Sequence, residues 1–480
     1  MQPVHVIQGY TLKAEGNFRM RKRPDFNRKE SIVTRILNIL IPLLLIWLFV
    51  LPGRAASEEI VLDMEKAVRK GLERNQSLQA VRELVLGREY GARSARGAFG
   101  PRLSTSYGYT RLDEKPETRV LDPVTGRMES RYGSRDQWLL NINIHQPLFT
   151  GFNLLSTYER AKLAHEQSQS QLSRAELELV LEIQTTFLDL LAARENVRVA
   201  EDSLTRLHSH LEVSRSFYEV GLAPRLDVLR AKVDVSEAEQ ELISAQNQVD
   251  TLTSRLDMLL HLPGDRGVVY RGELEFLPFT LALDECRETA LKHRPDIFIA
   301  DKSIQMALKD ERITASNLYP QIGASFDIFR RGDDPTVSGS RMQDRSEWRA
   351  GVQLEWTLFE WGRTRYAREQ ARQETRQLMA EYQDLLQSVA FEVKADYLLL
   401  QESRKRITVA RQGMEEARES YRMAVARYEA QVGTSTDVLD AQANLTSAEA
   451  RLIRAESDYL KALASIYRSM GQKNISLSQQ

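Results

Sequence analysis

Asp437 and Asp440 stand three residues apart in QVGTSTDVLDAQ (431–442). On a helix that spacing sets both carboxylates on one face. Repeated around an axis, such acids would raise one another's pKa values and attract cations. The plainer role for Asp437 is to favour a helix N-terminus electrostatically. Asp227, in EVGLAPRLDVLRAK (219–232), fits that role equally well, and Asp440 fits it less well. No other residues combine into reactive chemistry. The histidines are scattered at His5, His145, His165, His208, His210, His261 and His293. His208 and His210, two apart, point away from each other on a helix. Cys286 is the only cysteine, which excludes an intrachain disulfide and a cysteine metal site. No nucleophile motif, phosphate loop or metal-ligand spacing occurs. No catalytic, cofactor-binding or metal residue is therefore assigned, and the chain is not expected to be an enzyme. With 66 Lys and Arg against 67 Asp and Glu, it lacks the footprint of a nucleic-acid binder.

The two quoted stretches belong to a tandem duplication. Tyr218 and Glu219 match Tyr428 and Glu429 at a separation of 210 residues, and Asp227, Val228, Leu229 and Ala231 match Asp437, Val438, Leu439 and Ala441. Leu148 and Phe149 match Leu358 and Phe359. Upstream the separation is 219, pairing Leu62 with Leu281, Leu72 with Leu291 and Pro101 with Pro320. A loop-length difference between Pro101 and Phe149 accounts for the change. The expected organisation is a basic N-terminus and signal peptide at 1–56, a first repeat at 57–266 and a linker at 267–279. A second repeat at 280–472 and a tail at 473–480 follow. The signal reading rests on MRKRPDFNRK (20–29), the apolar run 36–51 and the small residues of PGRAAS (52–57), with cleavage near Ala55 to Ser57. An uncleaved inner-membrane anchor is the alternative, and Met20 is an alternative start. No other long apolar run follows residue 56, so the mature chain is not expected to be a helical membrane protein.

Each repeat orders its elements alike. A helical stretch (76–99; 295–318) precedes two alternating segments (102–112 and 137–149; 321–330 and 347–359). In the last, Trp348, Ala350, Val352, Leu354 and Trp356 share one face, as in a strand. The length and alternation also suit a tilted membrane strand, although half-buried soluble strands alternate too. Polar loops are expected at 113–136 and 331–346. A long helix (152–217; 362–427) and a return helix (226–261; 437–470) then form a hairpin, whose shorter arm the leading helix completes. About 65 helical residues reach roughly 100 Å, too far for a globular core. Val228, Val235, Leu242, Val249 and Leu256 recur every seven residues, as do Ala231, Ala238, Ala245, Leu252 and Leu259. The second return helix repeats this with Val438, Leu445, Leu452, Tyr459 and Ile466 beside Ala441, Ala448, Ala455 and Ala462. The long helices supply Leu190, Val197, Leu204 and Leu211, then Leu400, Ile407, Met414 and Tyr421. This period is that of a coiled coil. Four strands are too few to close a membrane barrel of at least about eight, and an open edge in lipid is forbidden. Several chains must therefore share one barrel; three would give about twelve strands.

Over 58–472 the chain resembles the TolC-like outer membrane efflux proteins. The resemblance is carried by HQPLFTGFNLLSTYERAK (145–162), EWTLFEWGRTRYAREQAR (355–372) and the two Tyr-to-Asp turns. It implies a mainly α fold with β: a trimeric 12-stranded outer-membrane barrel, four strands per chain, continuing into a long α-helical coiled-coil tunnel through the periplasm. An equatorial belt would use 58–75, the linker and the C-terminal end. The implied function is a passive gated exit duct for a tripartite efflux pump or type I secretion system. Its partners are two further copies, a periplasmic adaptor, an inner-membrane transporter and outer-membrane lipid, with no nucleic acid and no cofactor. The turns become the periplasmic tip, where Val220-Gly221-Leu222 and Val432-Gly433-Thr434 match the adaptor-contact motifs. Two glycine turns ending helices are the plain alternative. Gly221 is three residues after Tyr218, but Gly433 is five after Tyr428, with Gln431 at the usual glycine position. The second tip is thus open to two alignments, one shifted by two residues. Asp437 and Asp440 match an acidic constriction, and Tyr428 and Asp227 match a latch of the closed state. Gly433 stands where the family has a basic latch residue, and Arg225 is the candidate substitute. The rival reading is a periplasmic coiled-coil adaptor or structural protein, but an adaptor has one hairpin rather than a duplicated one with four strands.

Overall fold

The structure is a computed structural model that describes residues 60–477 apart from 122, 263–267, 341 and 343–344. The signal segment expected at 1–56 lies outside the described residues. In chain order the elements are β1 (Ile60–Leu62), α1 (Met64–Arg74), α2 (Gln76–Gly97), β2 (Arg102–Arg111), β3 (Glu117–Leu121), β4 (Met128–Tyr132), β5 (Asp136–Phe149), α3 (Asn153–Glu219) and α4 (Arg225–Leu259). They continue with β6 (Val268–Tyr270), α5 (Leu283–His293), α6 (Pro295–Ala315), β7 (Gln321–Gly332), β8 (Ser346–Glu355), α7 (Arg363–Glu429) and α8 (Ser435–Ser469).

The leading helix of each repeat is two helices, for a local reason in each case. Asn75 is extended, ends α1, and accepts the Leu78 N–H at 3.0 Å to cap α2. Arg294 is extended because Pro295 follows it, which disfavours the α region. Proline at the first position then starts α6. The two long helices, uninterrupted by proline, each run for 67 residues, and each return helix for 35.

β2, β5, β7 and β8 form one antiparallel sheet in that order, so the central β5–β7 ladder joins the two repeats. Register gives the sheet two unlike faces. One carries Leu103, Tyr107 and Tyr109, then Trp138, Leu140, Ile142 and Ile144, then Ile322, Phe326 and Ile328, then Trp348, Val352 and Leu354. The other carries Ser104, Ser106, Asn141, Asn143, Ser325, Asp327, Arg349 and Gln353. On it Asn143 Nδ2 donates to Asp327 Oδ1 at 2.7 Å. Neither edge strand has an outer partner among the described residues. Two details differ from expectation. The stretch 113–136 is not simply a loop: β3 and β4 pair across a turn at Gly126, whose φ is 64°. Their residues are exposed on both faces, so no hydrophobic alternation announced them. The last strand ends at Glu355 rather than 359, and the Trp356 indole N–H donates to the Leu318 carbonyl at 3.2 Å instead.

Two apolar cores lie at the middle of the long helices. Ile183, Phe187 and Leu190 of α3 pack with Ala67, Val68, Leu256, Leu260 and Tyr270. Val389, Val393 and Leu400 of α7 pack with Cys286, Ala290, Leu463, Ile466 and Met470. The parallel pair β1–β6 and the chain end wrap this level; Gln184 Nε2 donates to the Asn474 carbonyl at 2.6 Å. Burial pushes the Cys286 thiol up to about 11, so the thiol is structural. The heptad column of α8 is buried at Val438, Ala441, Leu445, Ala448, Ala455, Tyr459, Ala462 and Ile466. On α3 the buried residues beyond Leu190 are Leu191, Ala193, Val199, Ala200, Ser203, Leu207, His210 and Ser214, with Val197, Leu204 and Leu211 half-buried among them. The face is this wide because α3 packs against α8 as well as α4.

Each strand-to-helix junction uses two consecutive left-handed residues. In the first repeat they are Gly151 (φ 59°) and Phe152 (φ 70°); in the second they are Trp361 (φ 54°) and Gly362 (φ 80°). A Cβ on Gly151 would lie 2.4 Å from the Ser316 carbonyl oxygen. Gly151→Ala is therefore expected to lower the thermal unfolding midpoint, combining that clash with a left-handed cost of about 1–2 kcal/mol. Trp361→Gly, at an exposed position, is expected to raise the midpoint or leave it unchanged. Calorimetry of the purified protein checks both, and a midpoint raised by Gly151→Ala would contradict the account.

Candidate functional site: the paired helix turns

Both hairpins turn in the same way. Past α3, Gly221 is left-handed (φ 79°); its N–H donates to the Tyr218 carbonyl at 3.0 Å, and Leu222 N–H to Phe217 at 2.8 Å. Past α7, Gln431 is left-handed (φ 63°); its N–H donates to Tyr428 at 2.9 Å, and Val432 N–H to Arg427 at 2.9 Å. Gln431 is thus the counterpart of Gly221, and the separation of 210 residues holds through both turns without a shift. The second turn consequently does not end its helix on glycine. Gly433 corresponds to Ala223; a Cβ there would sit 3.1 Å from Arg427 Cβ. Val432-Gly433-Thr434 lies two residues beyond the counterpart of Val220-Gly221-Leu222. Val220, Leu222 and Val432 are 68%, 58% and 66% exposed, which leaves an apolar knuckle on each turn.

The acids divide by function. Asp437 belongs to a capping box: Thr434 N–H donates to its carboxylate at 2.9 Å, and Asp437 N–H donates to Thr434 Oγ1 at 3.2 Å. The Thr434 backbone and hydroxyl bonds hold the Asp437 carboxyl below its ordinary value, with Arg427 adding its charge. Asp440 is exposed and caps nothing. Its charge acts instead on Asp234 of α4, whose carboxyl is pushed up by burial, then by Glu237 and Asp440. The acidic group within one chain is therefore Asp234 with Glu237 of α4 and Asp440 of α8, drawn from both return helices. Asp234 lies one heptad after Asp227, which was its only sequence signal. Arg230, the first-repeat counterpart of Asp440, reaches across to α8 and donates to Thr436 Oγ1 at 3.0 Å. No ion pair of Arg225 occurs among the described residues, and the cation near the second turn is Arg427.

Tyr428 is buried behind the turns. Its hydroxyl lies 3.2 Å from Ser214 Oγ, and its ring packs 5.1 Å from His210 and 5.4 Å from Phe217. His210 Nε2 lies 2.8 Å from the hydroxyl of Ser435, the first residue of α8. This cluster ties the end of α3 to the second hairpin. Tyr428 and Asp227 do not meet directly; both bear on His210. Burial lowers the His210 pKa, and the charge of Asp227 opposes this. Sequence reading missed His210, Ser214 and Ser435, because residues on three separate elements have no shared spacing. Among the described residues, no group of three or more His, Cys, Asp or Glu is arranged to hold a metal ion.

A sequence model described as "Outer membrane efflux protein" matches residues 67–260 and 286–472. The outer membrane efflux protein BepC of Brucella suis is 21% identical over 396 residues, 82% of this chain and 82% of BepC. The toluene efflux pump outer membrane protein TtgF of Pseudomonas putida is 24% identical over 362 residues, 74% of this chain and 71% of TtgF. Among solved structures, the outer membrane protein VceC of Vibrio cholerae superposes with a TM-score of 0.71 at 19% identity, covering 85% of this chain and 96% of VceC.

Two outcomes are expected at the turns. Replacing left-handed glutamine relieves strain, so Gln431→Gly should stabilise by about 1 kcal/mol while Gly221→Gln destabilises by a similar amount. Thermal melts of both variants measure this; equal melting points for the two would refute the assignment. Folded His210 binds its proton less readily than the free residue, whose pKa is 6.5. The unfolded chain therefore binds more protons, and stability rises with pH. The contribution is complete above the unfolded value and is lost as pH falls towards the folded one. The melting point of the wild type should drop more than that of His210→Asn between about pH 7.5 and pH 5; parallel pH profiles would count against it.

Proposed function

The chain belongs to the outer membrane efflux protein family, and from that premise we propose that three copies form a passive, gated exit duct of an efflux pump or type I secretion system. The observation that carries the reading is the sheet with one apolar and one polar face. No described helix is long and apolar enough to cross a membrane. The apolar face of the sheet is the surface that meets lipid. Its two open edges cannot stay unpaired there. Three chains of four strands close a ring within the known range of membrane barrels. Helices of about 100 Å then extend the polar interior of the barrel into the periplasm. The signal segment 1–56 is removed on export, and each of the two repeats supplies one hairpin.

The exposed turns are the periplasmic tip. Val220, Gly221 and Leu222, with Val432, Gly433 and Thr434, meet the adaptor, which links the duct to an inner-membrane transporter. Val220, Leu222 and Val432 supply the apolar contact. Asp437 and Asp440 from three chains form the acidic gate, and Tyr428 and Asp227 hold it closed through His210. A free-standing periplasmic adaptor has no use for a sheet with an apolar face.

Membrane fractionation with crosslinking is expected to recover a trimer in the outer membrane; a soluble monomer would sink the reading. Asp440→Asn isolates the gate, because Asp437 also caps α8. In a planar bilayer that variant should lose severalfold in cation selectivity and in block by multivalent cations. Unchanged selectivity and block would remove Asp440 from the gate.

A further inference from the structure

Arg330 and Arg331 are consecutive on β7 and face opposite sides of the sheet. Arg331, on the polar face, is compensated within the protein: it pairs with Glu347 at 2.7 Å and lies 5.4 Å from the Phe329 ring. Arg330 lies on the apolar face, is exposed, and has no carboxylate partner among the described residues. Its ladder neighbours are Leu140 and Ser346. Trp138 faces Gly332, two residues ahead, and Trp348 faces Ile328, two residues behind. Trp138 and Trp348 are thus both diagonal neighbours of Arg330, at the roughly 7–8 Å spacing of a sheet. Trp138 packs 4.6 Å from Tyr109 and 5.5 Å from Tyr107, and Trp348 packs 6.0 Å from Phe326, which braces both rings. The other outward arginine at this level, Arg111, is paired with Asp136 at 3.3 Å.

An arginine on the lipid face of a barrel is costly at the midplane and nearly free at the interface. A tilted strand of about 9–11 residues crosses the hydrocarbon, and counting from Gln321, Arg330 reaches the far interface. Tryptophan and tyrosine collect at that depth. This is the end that bears the connections 112–135 and 333–345, opposite the helices; in the proposed orientation it lies in the outward leaflet. A guanidinium matches phosphate in geometry and charge, and an indole face offers a flat apolar platform for a sugar ring.

We propose that Arg330, between Trp138 and Trp348, binds the phosphate of a phosphorylated glycolipid headgroup in the outward leaflet, one site per chain. The inference rests on the reading of the sheet as membrane-embedded. The test separates the two. Full-length protein in nanodiscs with bromine-labelled acyl chains reports embedding through tryptophan quenching, in the wild type and in Arg330→Gln. Native mass spectrometry then follows binding of bis-phosphorylated lipid A, its dephosphorylated form and inorganic phosphate. The wild type should bind bis-phosphorylated lipid A about five- to tenfold more tightly than Arg330→Gln. Arg330→Lys should retain part of the difference, and Arg111→Gln, whose native arginine is already paired, should match the wild type. The dephosphorylated lipid should bind both proteins alike. Quenching with equal lipid A affinity in the wild type and Arg330→Gln would overturn the inference while leaving the duct intact. Displacement of the lipid by millimolar inorganic phosphate would make it a free-phosphate site instead. Absence of quenching would remove both readings.

Discussion

A backbone amide in hydrocarbon has no water to bond to, and this constraint governs the rest of the molecule. Four strands satisfy their inner ladders and leave two edges. One face of the sheet is apolar, so the edges cannot simply be turned to water. Closure by further copies follows from these two facts together. The same closure fixes what the helices must do. They leave the sheet through junctions of two left-handed residues, and a closed ring of strands makes them a closed ring of helices.

The duplication supplies two hairpins of equal length, yet the copies differ where they bend. Glycine occupies the first left-handed position of one junction and the second of the other. At the turns, glycine takes the left-handed position in one copy and glutamine in the other. The backbone geometry is kept while the residue that eases it moves. The same holds for charge. Arg230 and Asp440 occupy equivalent places on the two return helices, and Arg230 bonds to Thr436 of the opposite hairpin. The two hairpins are therefore complementary rather than identical, and His210, Ser214, Tyr428 and Ser435 join them where they meet.

The long helices were legible because proline is absent from them, with Gly413 their only glycine, and the seven-residue columns persist along them. The four sheet strands were legible because Trp348 to Leu354 and their neighbours alternate. The hairpin β3–β4 was not, since both of its faces are exposed and nothing selects an apolar side. The buried face of α3 is wider than the column of Leu190, Val197, Leu204 and Leu211, because a helix with two partners buries more than one partner alone would define. At the turns, Val-Gly looked like the repeated unit, but hydrogen bonds to the carbonyls of residues 217 and 427 set the alignment.

By itself the sequence determined the long helices, the four strands of the main sheet, their order and the polarity of those strands, since these follow from local propensity and periodicity. Only the tertiary structure decided that Gln431 rather than Gly433 bends the second turn, because backbone bonding overrides the preference of a single residue. It also decided that Asp440 finds its like charge in Asp234 and that Tyr428 bonds Ser214 rather than Asp227. Those partners lie some 200 residues apart in the chain, and packing of the two hairpins alone brings them within reach.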